Sequence, residues 1–381
     1  MSIFGSWIQL TALSFLVFDL TKSPIYLGVT AFAGGASAWF FTLYAGAAAD
    51  HYSKRSILIY CQVIALSLGV ALAVLTGLHV IRPWHIILMS FFSGAVAAFE
   101  APSRQAFVAE LVNKEKLGNA ISLNSSLFNL GTAIGPAVSG ALYCTVGPAL
   151  CFGINAVSYL PLIVGLISIR MPGHKRLAHT KPSLKKVKDG IRYSLSDTIA
   201  FPLITMVAII SAFGFSIFSL MPAWAVSVLH GNAATNGMLQ SARGVGALSG
   251  ALTIATNGHG ERRGRLLCIG SMLYPVALLV FAFTTKIAIA LALAALLGAC
   301  FVIVYNTANT LLQFRAPDSI RGRVMSIYML SFLGTAPLGS LAGGCAAHAI
   351  GERGAMVLCA ITAFGLMSFL IVRSPMLRNH E

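Results

Sequence analysis

One arginine stands where the surrounding sequence offers it no water. Arg243 lies in Gln240-Ser241-Ala242-Arg243-Gly244-Val245-Gly246, inside the apolar stretch Gly237–Thr256. A guanidinium placed mid-lipid costs about 2.5–3.5 kcal/mol on insertion scales, so it must face a protein interior or snorkel to an interface. Its chemistry suits an anionic group on a ligand or a breakable pair with an acid; capping backbone carbonyls is the structural alternative. Asp19 and Glu100 sit near the ends of apolar runs, placed to take protons from opposite sides or to anchor a helix at the interface. Gln9, Asn124, Asn129, Asn306 and Asn309 also fall in apolar runs. Amides in lipid need partners, so they either line a polar cavity or bond helix to helix. Phe128, Phe213, Phe215, Phe218 and Trp224 are read first as packing, with stacking on a hydrophobic compound as the alternative.

Other chemistry has no foothold. The nine histidines are scattered, and neither H-E-x-x-H nor G-x-S-x-G occurs, so no catalytic residue is assigned. The seven cysteines form no C-x-x-C, so no metal site is expected; Cys144 and Cys151 flank the turn Val146-Gly147-Pro148 and are read as free thiols. No G-x-x-x-x-G-K-[ST] loop is present, which excludes direct use of ATP by that route and leaves no cofactor to assign.

The elements that must position these residues are membrane helices. The 381 residues are 57% hydrophobic and 10% charged. Soluble proteins carry about 25% charged residues to cover their surface; lipid removes that need. Apolar runs of spanning length fall at Met1–Leu20, Ile25–Ala49, Ile57–Leu78, Trp84–Ala101, Ala120–Thr145 and Gly147–Ile169. Six more follow at Ala200–Leu229, Gly237–Thr256, Leu266–Thr284, Ile287–Leu312, Val324–Ala349 and Ala355–Val372. With both termini on one side, that side receives 21 of the 26 Lys and Arg, while Lys22, Arg82, Lys286 and Arg353 fall on the other. The positive-inside rule makes the basic side cytoplasmic. The net charge of +15 is therefore a topology signal, and nucleic-acid binding is set aside.

The predicted organisation is a six-helix half at 1–169, a basic cytoplasmic linker at 170–199, a second half at 200–372 and a cytoplasmic tail at 373–381. Two segments hint that the halves are repeats. Ser122–Gly140 reads SLNSSLFNLGTAIGPAVSG and Ser326–Gly344 reads SIYMLSFLGTAPLGSLAGG, with Gly131 and Gly334 203 residues apart. The basic turns ending at Arg55 and Arg263 are 208 apart. Parallel six-helix repeats are a known transporter plan, with substrate bound at mid-membrane depth.

Two motifs carry specific expectations. Gly46-Ala-Ala-Ala-Asp50-His51-Tyr52-Ser53-Lys54-Arg55 joins spans two and three. Gly46 there permits close approach or a tight cap, and Asp50 with Lys54 and Arg55 supplies a breakable latch. Gly131-Thr-Ala-Ile-Gly135-Pro136-Ala-Val-Ser139-Gly140 combines small residues, which let helices touch, with a helix-bending proline.

These motifs resemble signatures of the major facilitator superfamily. The first is similar to G-x-x-x-D-R-x-G-R-R, with His51 in place of the first Arg and Ser53 in place of the inner Gly. The second resembles the exporter signature G-x-x-x-G-P-x-x-G-G, with Ser139 as the departure. Ala101-Pro102-Ser103-Arg104-Gln105-Ala106-Phe107, Asn119-Ala120-Ile121-Ser122-Leu123 and Pro317-Asp318-Ser319-Ile320-Arg321-Gly322-Arg323-Val324-Met325-Ser326 look like the branch holding the enterobactin exporter and related drug-efflux proteins. The resemblance covers nearly the whole chain. It implies a monomeric twelve-helix secondary transporter of a bacterial inner membrane, exporting a small amphipathic drug, siderophore or metabolite by proton-coupled alternating access. Uptake on the same scaffold, and a membrane enzyme acting on lipid, are the alternatives. Two departures stand out. The fourth span has no Arg, so the R-x-x-Q-G motif linked to proton coupling is missing. Relatives of this branch also carry residues ahead of the Gly5-Ser6 segment, so the first helix is expected to be truncated or its start misassigned.

Overall fold

The computed structural model describes residues 2–169, 192–258, 262–318 and 320–374, and all regular structure among them is helical. The first six helices are α1 Ser2–Thr21, α2 Pro24–His51, α3 Lys54–Gly77, α4 Pro83–Leu111, α5 Lys114–Val146 and α6 Pro148–Ser168. Then come α7 Ala200–Ser227, α8 Ala233–Asn257, α9 Arg262–Ala282 and α10 Ile287–Arg315. The last segment, Arg321–Arg373, has 53 residues. At 1.5 Å per residue that is about 80 Å, far more than a bilayer core of about 30 Å. Gly351, at φ 77°, breaks it into α11 (321–350) and α12 (352–373). The linker expected at 170–199 lies outside the described residues as far as 191, and so does the tail after residue 374.

Local chemistry sets the helix starts. Proline opens α2, α4 and α6, where its fixed φ suits the first turn and its missing N–H would have had no helical partner. Ser53 Oγ accepts the Ser56 N–H at 3.1 Å to begin α3. Asp197 Oδ1 accepts from the N–H groups of Ile199 and Ala200 at 3.0 and 2.7 Å ahead of α7. Asn232 Oδ1 accepts from Ala234 and Thr235 ahead of α8.

Several helices outrun the apolar runs that predict them. α4 continues to Leu111 rather than stopping at Ala101, and α5 begins at Lys114 rather than Ala120. Lys54 and Arg55 fall in the first turn of α3, not in a loop. A helix satisfies its own backbone, so polarity alone does not end it; a cap does.

Ten helical segments among the described residues are long and apolar enough to cross a membrane, with Arg321–Arg373 counted once. The long helix outside that set is α8, which carries Arg243. Tyr60, Leu252, Phe283, Leu330 and Val372 are each more than 60% exposed. Apolar surface on that scale belongs against lipid. The protein is a multi-pass membrane protein.

The chain forms two compact units. Unit 1 comprises Met1–His179 with Ala225–Ser241, and unit 2 comprises Thr180–Trp224 with Ala242–Glu381. In unit 1, α2 packs along α4, α3 on α4 and α6, and α1 on α5 and α6. In unit 2, α9 packs on α10 and on the Arg321–Arg373 segment. Gly339 and Gly343 of α11 close onto Ala212 and Ser216 of α7. Cys144 is exposed, Cys151 is buried, and both are free thiols.

Candidate functional site

Unit 2 builds a site around Arg243. Gly246 and Gly250 of α8 meet the backbone of Ala295 and Ala299 on α10, and Gly298 of α10 meets the backbone of Arg243 itself. A methyl group at any of the three would strike a backbone carbonyl, so these glycines set how near the two axes run. That crossing presents Arg243 to a set of rings. Its Cζ lies 4.1 Å from the centroid of Phe218. Phe218 meets Phe301 edge-on at 5.6 Å and Phe215 at 6.2 Å. The row continues from Phe215 to Phe332 at 5.8 Å, to Tyr305 at 4.3 Å and to Tyr328 at 5.5 Å.

The charge is incompletely answered. Arg243 Nε is buried with no hydrogen-bond partner. Among the described residues no carboxylate lies within 4 Å of the guanidinium. A cation–π contact returns about 0.5–2 kcal/mol, less than the 2.5–3.5 kcal/mol insertion cost quoted for a central Arg. The side chain retains partial exposure, so it borders open space. Tyr274, 1% exposed, holds a buried hydroxyl without a partner. Gly214 makes room for that hydroxyl and for the Phe301 ring. Tyr274 and Phe301 escape a reading of the sequence alone, because aromatic residues are abundant in any membrane bundle. Trp224 stacks on Phe281 at 5.2 Å and acts as packing, as does Phe128 against Trp7 at 5.8 Å.

Below the aromatic row, an open recess of about 660 Å³ is lined by Asn309, Gln313, Asp318, Arg321, Met325 and Met329. Asn309 Oδ1 accepts from Gln313 Nε2 at 2.7 Å. Asn306 is partly buried and its carbonyl accepts from Thr310. At the same end, Arg315 pairs with Asp197 at 3.8 Å and its carbonyl accepts from the Tyr193 hydroxyl at 3.5 Å. Burial and the nearby Asp197 carboxylate push the Tyr193 phenol above its usual value, keeping it a donor.

In unit 1 several of the candidate polar groups bond to other side chains. Asn155 Nδ2 donates to Gln9 Oε1 at 2.8 Å and to the Tyr159 hydroxyl at 3.2 Å, so Gln9 serves α1–α6 bonding. Asn155, fully buried, carries this network, and its signal is a lone amide within an apolar run. Asn124 and Asn129 of α5 are partly buried; the Asn129 carbonyl accepts from Thr132. Asp19 pairs with Lys22 at 2.6 Å, and Glu100 faces Arg104 at 3.6 Å. Both acids are thus held in local ion pairs one helical turn away.

The two motifs have distinct places. Lys54 Nζ pairs with Glu110 of α4 at 2.6 Å. Arg55 donates from Nε and Nη2 to the last carbonyls of α6, Leu166 and Ile167, each at 2.6 Å. The basic pair therefore ties the start of α3 to the ends of α4 and α6. The side chain of Asp50 lies outside the described residues. Gly46 neither caps α2, which runs on to His51, nor meets a described neighbour within 4 Å. In the second motif, Gly131 and Gly135 seat Trp7 of α1. Gly140 meets the backbone of Ala233 and Ala234, and Pro136 and Gly140 lie against Gly237 of α8, within unit 1. Just after Pro136, the Ala137 N–H donates to Ser241 Oγ at 2.8 Å.

Helices grouped in two units and crossing at paired glycines are matched by known proteins over most of the chain. The family model for transmembrane secretion effectors matches residues 1–381. The chain belongs to this family. Among curated relatives, it is 26% identical to the staphyloferrin A transporter of Staphylococcus aureus, covering 88% of this chain and 84% of the relative. It is 24% identical to the multidrug efflux pump Tap of Mycolicibacterium fortuitum, over 98% of this chain and 93% of the relative. The enterobactin exporter of Shigella flexneri is 24% identical over 81% of this chain and 73% of its own length. Among solved structures, this secretion-effector chain superposes on a bacterial homologue of the lysosomal transporter Spinster with a TM-score of 0.73 at 14% identity, covering 98% and 96% of the two chains. A D-xylose–proton symporter gives 0.72 at 14% identity, covering 97% and 95%. The fold is the major facilitator fold, as the motifs imply.

Proposed function

We propose that this chain is a secondary active exporter of a small amphipathic compound, working by proton-coupled alternating access as a monomer in a bacterial inner membrane. The observation that carries the reading is the match to secretion effectors along the whole chain, beside relatives named for siderophore transport and drug efflux. Among the described residues no three His, Cys, Asp or Glu side chains converge to hold a metal ion, and the relatives are named as transporters, which supports a transporter over a lipid-acting enzyme. The basic-side count supports twelve crossings with both termini cytoplasmic, in halves at 1–169 and 200–372 joined by a basic linker. Lys54 and Arg55, bonded to the ends of α4 and α6, act as the cytoplasmic latch. The Pro136 bend, seated against Gly237, supplies the exporter-type hinge.

The test is a compound screen in a host stripped of its own efflux pumps, with ATP depleted. Expression should lower the accumulation of at least one amphipathic compound, and an uncoupler should restore it. Export that persists under the uncoupler contradicts proton coupling. The same fold carries a D-xylose–proton symporter, so uptake is the second reading; accumulation raised by expression would favour it.

A further inference from the structure

Two hydrogen-bond donors border the same pair of rings in unit 2: Arg243 lies over Phe218, and the Tyr274 hydroxyl and the Phe301 ring, which meets Phe218, both lie beside Gly214. Arg243 is on α8 and Tyr274 on α9. Each has a buried donor atom without a partner, Nε in one and the phenol in the other. An arginine is donor-only, and a phenol beside it gives its proton most favourably to an anion. The wall is apolar and aromatic: Phe218 lies under the guanidinium, with Phe215 and Phe301 around it. Such a site answers a ligand with a negative head and a flat apolar body. It also has an approach. The aromatic row leads from Phe215 through Phe332 to Tyr305, whose hydroxyl donates to Met329 Sδ on the recess at 3.7 Å.

We infer that Arg243 and Tyr274 bind the anionic head group of an aromatic organic anion, with Phe215, Phe218 and Phe301 holding its body. This rests on the export reading above and names the class of compound carried. The bound anion supplies the guanidinium's missing counter-charge, so the site is selective by charge before it is selective by shape.

The experiment uses two dyes with a common xanthene scaffold and opposite charge, fluorescein as the anion and rhodamine 123 as the cation. Fluorescence anisotropy of each is titrated with the purified full chain, and efflux of each is followed from loaded, pump-stripped cells. Fluorescein should bind at least tenfold tighter than rhodamine 123. Arg243→Gln should erase that preference, Arg243→Lys should restore part of it, and Tyr274→Phe should weaken fluorescein about three- to tenfold while leaving rhodamine 123 unchanged. Tyr274→Phe keeps the ring, and a melting curve in detergent verifies the fold of each variant. Equal binding of the dyes, preference for rhodamine 123, no fluorescein binding, or a preference that survives Arg243→Gln overturns the anion site. Efflux of rhodamine 123 without fluorescein leaves the export reading standing and removes this one. Binding that behaves as expected with no efflux of either dye does the reverse.

Discussion

The two units solve the same crossing with different residues. In unit 1, Gly94 of α4 lies against the carbonyl of Gly34 and the hydroxyl of Ser37 on α2. In unit 2, Gly298 of α10 lies against the backbone of Arg243 on α8. The glycine on the later helix is retained 204 residues on, while the partner changes from a small residue to a cation. Other features recur at matching offsets. The left-handed residues Lys22 and His230, which end α1 and α7, are 208 apart, and the turn glycines Gly147 and Gly351 are 204 apart. Gly135 meets Phe4 as Gly339 meets Ala212. Ser139 Oγ donates to the Ile8 carbonyl at 2.8 Å; at the matched place Gly343 takes the α5 position and the serine, Ser216, is on the other helix. The repeat thus conserves spacing rather than side chains. Within it, unit 1 joins Gln9, Asn155 and Tyr159 in one side-chain network, though its buried Gln62 Oε1 and Asn236 amide have no partner; unit 2 differs in leaving a charged group, Arg243 Nε, unpartnered beside the aromatic cluster.

The largest effect should come from the shared glycines. Gly94→Leu and Gly298→Leu each drive a side chain into a backbone carbonyl, at a cost of about 3 kcal/mol or more, and should abolish folded protein on size-exclusion chromatography. Tolerance at one and not the other would break the equivalence. Next, Asn155→Leu should lower stability by about 1–2 kcal/mol by stranding Gln9, read as a fall in the melting point in detergent. Arg243→Leu, by contrast, should leave the melting point level or raise it, because the replaced charge is underpaired. The smallest effects lie at the basic ends. Glu110→Gln should cost about 0.2–1 kcal/mol and shrink further in high salt, since Lys54–Glu110 is partly exposed. Arg263→Met should be insensitive to salt, because Arg263 instead donates to the Gly258 carbonyl and lies over Phe314.

Much of this plan is written in residue types. Length of apolar run gives the helices, prolines and caps give their starts, and Lys and Arg predict the sides. Arg243 is legible because a lone charge in an apolar run must face a protein interior or reach an interface. The Gly131–Gly140 motif is legible because small residues at that spacing have one main use. What the residues conceal is register and partnership. Gly131 and Gly334 match by letter at 203, but the contacts pair Gly135 with Gly339 at 204. Gly46 looks like a packing glycine and has no described neighbour in reach. Tyr274 and Phe301 carry no local signal, because what distinguishes them is which helix stands opposite.

In a parallel repeat, six crossings separate matched positions and return the chain to the same side. Single cysteines at Lys22, His230, Arg55 and Arg263, in a chain whose seven native cysteines are replaced, can be labelled in intact cells with a membrane-impermeant maleimide. Lys22→Cys and His230→Cys should both label from outside, and Arg55→Cys and Arg263→Cys only after the membrane is opened. Members of either matched pair labelling from opposite sides would contradict the repeat.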